Sequence, residues 1–226
     1  VMRLGVVTDT QDMSGTVLSE VPEFQVSEEE LRTVTESFAG DYMQVPPMYS
    51  ALKVNGKKLY ELAREGKTVE RKPRPVHFYE IEILDIDFPL VRFRVTCSKG
   101  TYIRTLCHDI GEKLGCGAAM ETLLRTKVGR FTLDDAITLA QTEEAVRSGE
   151  IEQRILGIEE ILAEYPRVCC REEGDRLLAN GNPLVQALVN AEEKDGWIRM
   201  CNSEGSFAGV YQWDEKRDRY FPVKMF

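Results

Sequence analysis

Between residues 90 and 98, Val91, Phe93, Val95 and Cys97 alternate with Arg92, Arg94, Thr96 and Ser98. That period of two predicts a strand with one buried face. Residues 76–88 read as its partner strand, and Lys99-Gly100 ends the pair. Beyond the break, Ile103, Leu106, Cys107, Ile110 and Leu114 recur at helical spacing. They predict a helix with one buried stripe, stopped by Gly115 and Gly117. Residues 1–19 read as two strands joined by the polar loop Thr8–Gly15. Ser27 and Glu30 form a capping-box pattern, which starts a helix running to about Phe38, with Gly40 just beyond it. Gln44 to Pro47 is extended, because each proline turns the residue before it away from the helix. Met48 to Val54 reads as a strand, Asn55-Gly56 as a tight turn, and Lys57 to Arg64 as a short helix.

The pattern changes twice further on. Residues 121–128 read as another strand, and 134–164 as an acidic helical stretch. After Pro166 the chain is short strands and turns, near 167–171, 196–201, 207–213 and 220–223. Two domains are therefore expected, over 1–165 and 166–226. The fold class expected is α+β: a mixed, largely antiparallel sheet with flanking helices, followed by a small β-rich domain.

Composition adds constraints. No apolar run approaches the ~18 residues of a membrane span. The opening residues Val1 to Val7 read as a strand rather than a signal peptide, so the chain reads as cut at its start. Six cysteines lack any CxxC pair, and reduced thiols in a cytosolic protein fit them best. With only two histidines, a metal site is not expected. The net charge of −9 argues at first against a nucleic-acid partner. Residues 51–130, however, carry 16 Lys and Arg against 10 Asp and Glu, and the remainder carries 13 against 28. A basic middle in an acidic chain fits either a phosphate-binding face or a solvated surface.

Three segments concentrate candidate chemistry. Residues 44–66 combine a Pro-Pro lead-in, Tyr49, Tyr60 and the cations Lys53, Lys57, Lys58 and Arg64 around a tight turn. Such cations neutralise phosphates and such tyrosines stack on bases; a hairpin with Tyr49 in the core is the plainer alternative. In Cys97–Arg104 a strand ends, a glycine permits close approach and a helix begins. Arg104 falls in the first helical turn, the wrong end of the dipole for a cation. A carboxylate arriving from elsewhere would explain it; so would an exposed, snorkelling side chain. Residues 123–131 place Leu123 and Leu124 beside Arg125, Lys127 and Arg130, and could equally be an edge strand. Cys107-His108-Asp109 is no triad, because neighbours on a helix diverge.

Taken together, QVPPMYSALKVNGKKLYELAREG, CSKGTYIRTLCHDIGEKLGCGA and LLRTKVGRF resemble the TruB family of tRNA pseudouridine synthases, as does the opening RLGVVTDTQDMSG. The tail, with Asn180–Pro183 and Phe207–Val210, is similar to the PUA-like RNA-binding domain of bacterial members. The resemblance implies isomerisation of the uridine in the tRNA TΨC loop, with no cofactor and no metal. It implies that Arg104 pairs with the nucleophilic aspartate, that Tyr102 contacts the flipped uracil and that Leu123 lies under that base. Tyr49, Lys53, Lys58 and Tyr60 fall in the motif shaping the RNA cleft. The partner implied is the TΨC stem-loop of tRNA, bound by a cytoplasmic monomer with no membrane association.

Two departures follow. The family's LDP-type motif, which carries the nucleophile, does not occur in these residues. A further active-site tyrosine is expected shortly before Val1. None of the aspartates here takes the nucleophile's role, so this chain alone is expected to be inactive. A non-catalytic RNA-binding module is the alternative. Leu124-Arg125 also stands where the family often has paired arginines.

Overall fold

The computed structural model describes residues 1–190 and 194–226. They form two compact units, Val1–Leu133 and Asp134–Phe226. In the first, β1 (Met2–Leu4) and β2 (Val6–Thr8) precede β3 (Val17–Glu20) and α1 (Glu28–Glu36). Then come β4 (Gly40–Gln44), β5 (Lys53–Val54), β6 (Lys57–Lys58) and α2 (Leu59–Arg64). The long pair β7 (Arg74–Asp87) and β8 (Leu90–Cys97) leads to α3 (Ile103–Leu114) and β9 (Ala118–Met120). The short strands β10 (Lys127–Val128) and β11 (Phe131–Thr132) close the unit. Five strands make one sheet in the order β4-β7-β8-β1-β9. Every pairing in it is antiparallel.

The core lies between this sheet and helices α1 and α3. Met2, Val76, Phe78 and Val91 from the strands meet Leu31, Leu106, Cys107 and Ile110 from the helices, all buried. Burial of such side chains stabilises a fold by about 1.5–3 kcal/mol each. The helix limits follow local chemistry. Ser27 caps α1 by accepting from the Glu30 amide at 3.1 Å. Gly115, at φ 73°, ends α3 in the left-handed region that glycine adopts without strain. α3 also runs very close to β9: a Cβ on Gly111 would sit 2.1 Å from the Ala118 nitrogen.

The second unit holds α4 (Leu139–Ser148) and α5 (Ile158–Ile161), then β12 (Arg167–Cys169) and α6 (Asp175–Ala179). Strands β13 (Leu184–Val185), β14 (Trp197–Cys201), β15 (Phe207–Asp214) and β16 (Arg219–Met225) complete it. Its sheet runs β12-β14-β15-β16-β13 around buried Tyr211, Tyr220, Ile198 and Met200. Residues ahead of β12 are tied to this sheet: Arg199 donates from Nε to the Tyr165 carbonyl at 2.8 Å, and Arg167 pairs with Glu159 at 2.7 Å. All six cysteines are free.

The expected α+β class, with its mostly antiparallel sheet and β-rich tail, is the one observed. The stretch 1–19 holds three strands rather than two, the third running on to Glu20; β4 is not among the expected strands, and three further elements differ. The strand expected over 48–54 shrinks to β5, because Ser50 and Leu52 carbonyls accept from Tyr60 and Leu59 instead of from a sheet. The strand expected over 121–128 breaks, since the Glu121 and Thr122 amides both donate to the Val1 carbonyl. The helical stretch 134–164 is divided at Gly149, left-handed at φ 78°, and restarts at Gly157.

Candidate active site

The site is built where the first helical turn of α3 meets the loop after β2. Arg104 Nη1 lies 3.0 Å from Asp12 Oδ2, with the two side chains 21% and 16% exposed. Its Nη2 donates to the backbone carbonyl of Tyr49. The cation at the wrong end of the helix dipole is thus explained by a carboxylate from 92 residues away. One guanidinium joins three segments of chain.

Asp12 is held from every side. Oδ1 accepts from Thr10 Oγ1 at 2.9 Å, from the Ser14 amide at 3.1 Å and from Ser14 Oγ. Burial opposes its ionisation, but the hydrogen bonds from Ser14, Thr10 and Arg104 outweigh it, so the carboxyl lies below its usual value. Its backbone is pinned too. Gln11 O and Met13 N, on either side, both bond to Met120 of β9 at 3.0 Å. Gln11 adopts φ 64° and accepts from Thr105 Oγ1 at 2.7 Å, which fastens the loop to α3 a second time.

Gln44, 2% exposed at the end of β4, fixes the residue before the helix. Its amide donates to the Tyr102 carbonyl at 3.1 Å and accepts from the Tyr102 amide at 2.9 Å. Both backbone groups at that position are satisfied by one side chain. Tyr49 donates from its hydroxyl to Asp9 Oδ2 at 3.3 Å, so its ring is directed towards the same loop as Asp12.

Residues 45–73 leave the sheet between β4 and β7, whose ends pair Gln44 with Arg74. Arg71 Nη1 ties the base by donating to the Pro46 carbonyl at 3.1 Å. Within this excursion Lys53 and Lys58 stand directly opposite each other on β5 and β6. Like charges so placed destabilise a hairpin unless an anion meets them. Lys58 Nζ donates to Tyr60 Oη at 3.1 Å, chiefly for which reason its pKa is raised. Arg64 lies over the Tyr60 ring at 5.3 Å.

Of the residues expected in the site, Arg104 and Tyr49 are in contact, and Tyr102 is the N-cap of the same helix. Lys53, Lys58 and Tyr60 cluster on the excursion. Leu123 is 54% exposed, three residues past Met120, whose backbone brackets Asp12. Asp12, Gln44 and Thr105 were missed. Their one legible signal is polarity: Gln44 and Thr105 are polar residues buried to within 2% of full coverage.

The arrangement has known counterparts. Over the whole chain the fold matches a chain of a crystallised Cbf5-Nop10-Gar1 complex, with TM-score 0.65 and 22% identity, covering 64% of that chain. It matches a chain of an H/ACA RNP bound to a substrate RNA containing 2'-deoxyuridine equally well, at TM-score 0.65 and 20% identity, covering 63% of it. These likenesses define the class of fold. Residues 1–103 match the model of the TruB family pseudouridylate synthase N-terminal domain, and 104–163 that of the tRNA pseudouridylate synthase B C-terminal domain. The tRNA pseudouridine synthase B of Clostridium novyi (strain NT) is 50% identical over 209 residues, 92% of this chain and 71% of the relative. That of Lachnoclostridium phytofermentans is 47% identical over 205 residues, 84% of this chain and 66% of the relative. The chain belongs to the TruB family of pseudouridylate synthases. It spans about two thirds of the length of the latter relative.

Proposed function

We propose that the protein is a tRNA pseudouridine synthase acting on the uridine of the TΨC loop, as a cytoplasmic monomer without metal or cofactor. The observation that carries this reading is the part-buried Arg104–Asp12 pair, anchored to the Tyr49 carbonyl at the foot of a cation-rich excursion. It makes a fixed positive group beside Tyr102, with lysines placed for phosphates. The target uridine leaves its stack and enters beside Tyr102 and Leu123. The family's nucleophilic aspartate attacks it covalently, the uracil detaches and turns, and it rejoins ribose through carbon 5. Arg104 keeps that carboxylate ionised and aimed, since a neighbouring cation favours the charged form.

Asp12 is not assigned that role, because the family's LDP-type motif does not occur in these residues; its carboxylate, engaged by Thr10, Ser14 and Arg104, serves as an anchor. Residues 166–226, within the second unit, serve as the PUA-like RNA-binding part. Arg217 over Phe221 at 4.9 Å offers a paired charge and ring surface there. The rival reading is a module that binds RNA without chemistry, and the crowding of Asp12 favours it for these residues alone.

The test is chemical mapping of pseudouridine in tRNA treated with the intact protein, and in a parallel reaction with residues 1–226. Product at the TΨC uridine with the intact protein, and none with 1–226, is expected. Modification at a different position would refute the substrate. Turnover by 1–226 would refute the need for a further nucleophile.

A further inference from the structure

The last residues of β12 and β14 are cysteines that stand opposite each other. The two strands are parallel neighbours, and their register pairs Cys169 with Cys201. It also pairs Arg167 with Arg199, two positions back and so on the same face. The Cys170 amide donates to the Cys201 carbonyl at 2.9 Å, which fixes that register. Neighbouring strands lie about 4.8 Å apart, inside the span of about 4.4–6.8 Å between Cα atoms that a disulfide bridges. Cys97, by contrast, faces Phe78 across its sheet, and Cys170 faces Val189. Cys107, Cys116 and Cys170 are built into the two apolar cores, where cysteine packs as a small hydrophobe. Cys169 and Cys201 belong to neither core.

Both thiols meet one ion pair. Arg167 donates from Nε to Glu159 Oε1 at 2.7 Å, and its Nη1 lies 3.9 Å from Cys169 Sγ. The Cys201 thiol is directed at the same Oε1, 4.0 Å away, and Arg199 Nη1 lies 3.7 Å from it. Glu159 therefore sits over a block of two arginines and two cysteines. The two thiols differ in access. Cys169 is part-exposed, where a small solute can reach it, and Cys201 is buried. Burial above all pushes the Cys201 thiol up to about 11, so at neutral pH it keeps its proton, beside a carboxylate that can take it.

We propose that Cys169 and Cys201 form a site of reversible oxidation, closed to a disulfide by a hydroperoxide and reopened by a dithiol. The Cys169 sulfur attacks one oxygen of the peroxide. The O–O bond breaks, the other oxygen leaves with a proton as water or an alcohol, and Cys169 becomes a sulfenic acid. The Cys201 sulfur then attacks the Cys169 sulfur while its proton passes to Glu159. The S–O bond breaks, and hydroxide leaves as water by taking that proton. The two sulfurs together lose the electron pair that the peroxide gains. The new bond fastens β12, the edge strand of its sheet, to β14. This site lies in the second unit and stands apart from the RNA-directed reading above.

The experiment exposes the reduced, intact protein to a modest molar excess of hydrogen peroxide. Remaining thiols are alkylated in urea, with and without prior dithiothreitol, and the peptides are mapped by mass spectrometry. A cross-linked Cys169–Cys201 peptide pair is expected, lost on treatment with dithiothreitol. Cys201→Ala should leave Cys169 as a sulfenic acid that dimedone captures. Cys169→Ser, a change of one atom at a part-exposed position, should leave Cys201 as fully alkylated as in untreated protein. The proposal is overturned if, in the unsubstituted protein, both thiols survive the peroxide or Cys201 bonds to a different cysteine. It is overturned equally if Cys169 runs on to sulfinic acid while Cys201 still alkylates, or if Cys201 is lost as fast in Cys169→Ser as in the parent.

Discussion

Asp12 shows how much one side chain can organise. It is mostly buried, it faces the guanidinium of Arg104, and its loop is stitched to β9 on both sides. Replacing it with asparagine keeps the shape and removes the charge. Arg104 then stays 21% exposed with only the Tyr49 carbonyl and a neutral amide to answer it. Losing one partner of a part-buried pair costs about 1–3 kcal/mol. Asp12→Asn should lower stability on that scale at neutral pH in urea unfolding. The pH dependence follows from the lowered carboxyl pKa. Stability from such a group is present above its unfolded value of 3.8 and fades as the pH falls through the lower folded value. The gap between the two proteins should therefore close in strong acid. A gap that persists there would mean that charge is not what Asp12 supplies.

At the scale of elements, the site depends on a strand holding a helix. β4 ends in Gln44, and that amide satisfies both backbone groups of Tyr102 where α3 begins. Gln44→Ala leaves a buried donor and a buried acceptor unanswered, at a cost of about 1–3 kcal/mol. Gln44→Glu keeps the acceptor but sets a buried carboxylate against the Tyr102 carbonyl, so at neutral pH it should cost at least as much as alanine. Urea midpoints of the three proteins test this order, and an alanine variant as stable as the parent would sink it. β4 also marks a limit of sequence reading. The alternation in β8 and the apolar stripe of α3 are long enough to declare themselves, and the structure has both. Gly40-Asp41-Tyr42-Met43-Gln44 carries no comparable signal; it is a strand because β7 offers a partner edge. Residues 121–126 fail in the opposite direction. Their composition suits a strand, yet the Glu121 and Thr122 amides are taken by the Val1 carbonyl. The site divides in the same way. Arg104, Tyr102 and the cations of the excursion lie in motifs that can be read. Asp12 sits in a polar loop whose meaning comes only from what the fold brings against it.

The whole molecule carries −9, yet its middle is basic, and that imbalance makes a measurable claim about RNA. Lys53 and Lys58 oppose each other on a hairpin, an arrangement that an approaching phosphate would relieve. Each phosphate they neutralise releases condensed counterions, so affinity should fall steeply as salt rises. Lys53→Ala and Lys58→Ala should each weaken tRNA binding about five-fold. Each should also make the logarithmic salt slope shallower by up to about one unit. Arg104 is a cation as well, but it faces oxygens of the protein, those of Asp12 and the Tyr49 carbonyl, rather than phosphates. Its loss removes no phosphate contact. Arg104→Ala should accordingly leave the salt slope nearly unchanged and cut single-turnover pseudouridine formation by the intact protein far more than it cuts binding. Binding across a salt series, with turnover beside it, separates the two kinds of cation. Should Arg104→Ala flatten the slope as the lysine variants do while the rate survives, Arg104 holds RNA rather than a carboxylate, and the catalytic role assigned to it is wrong.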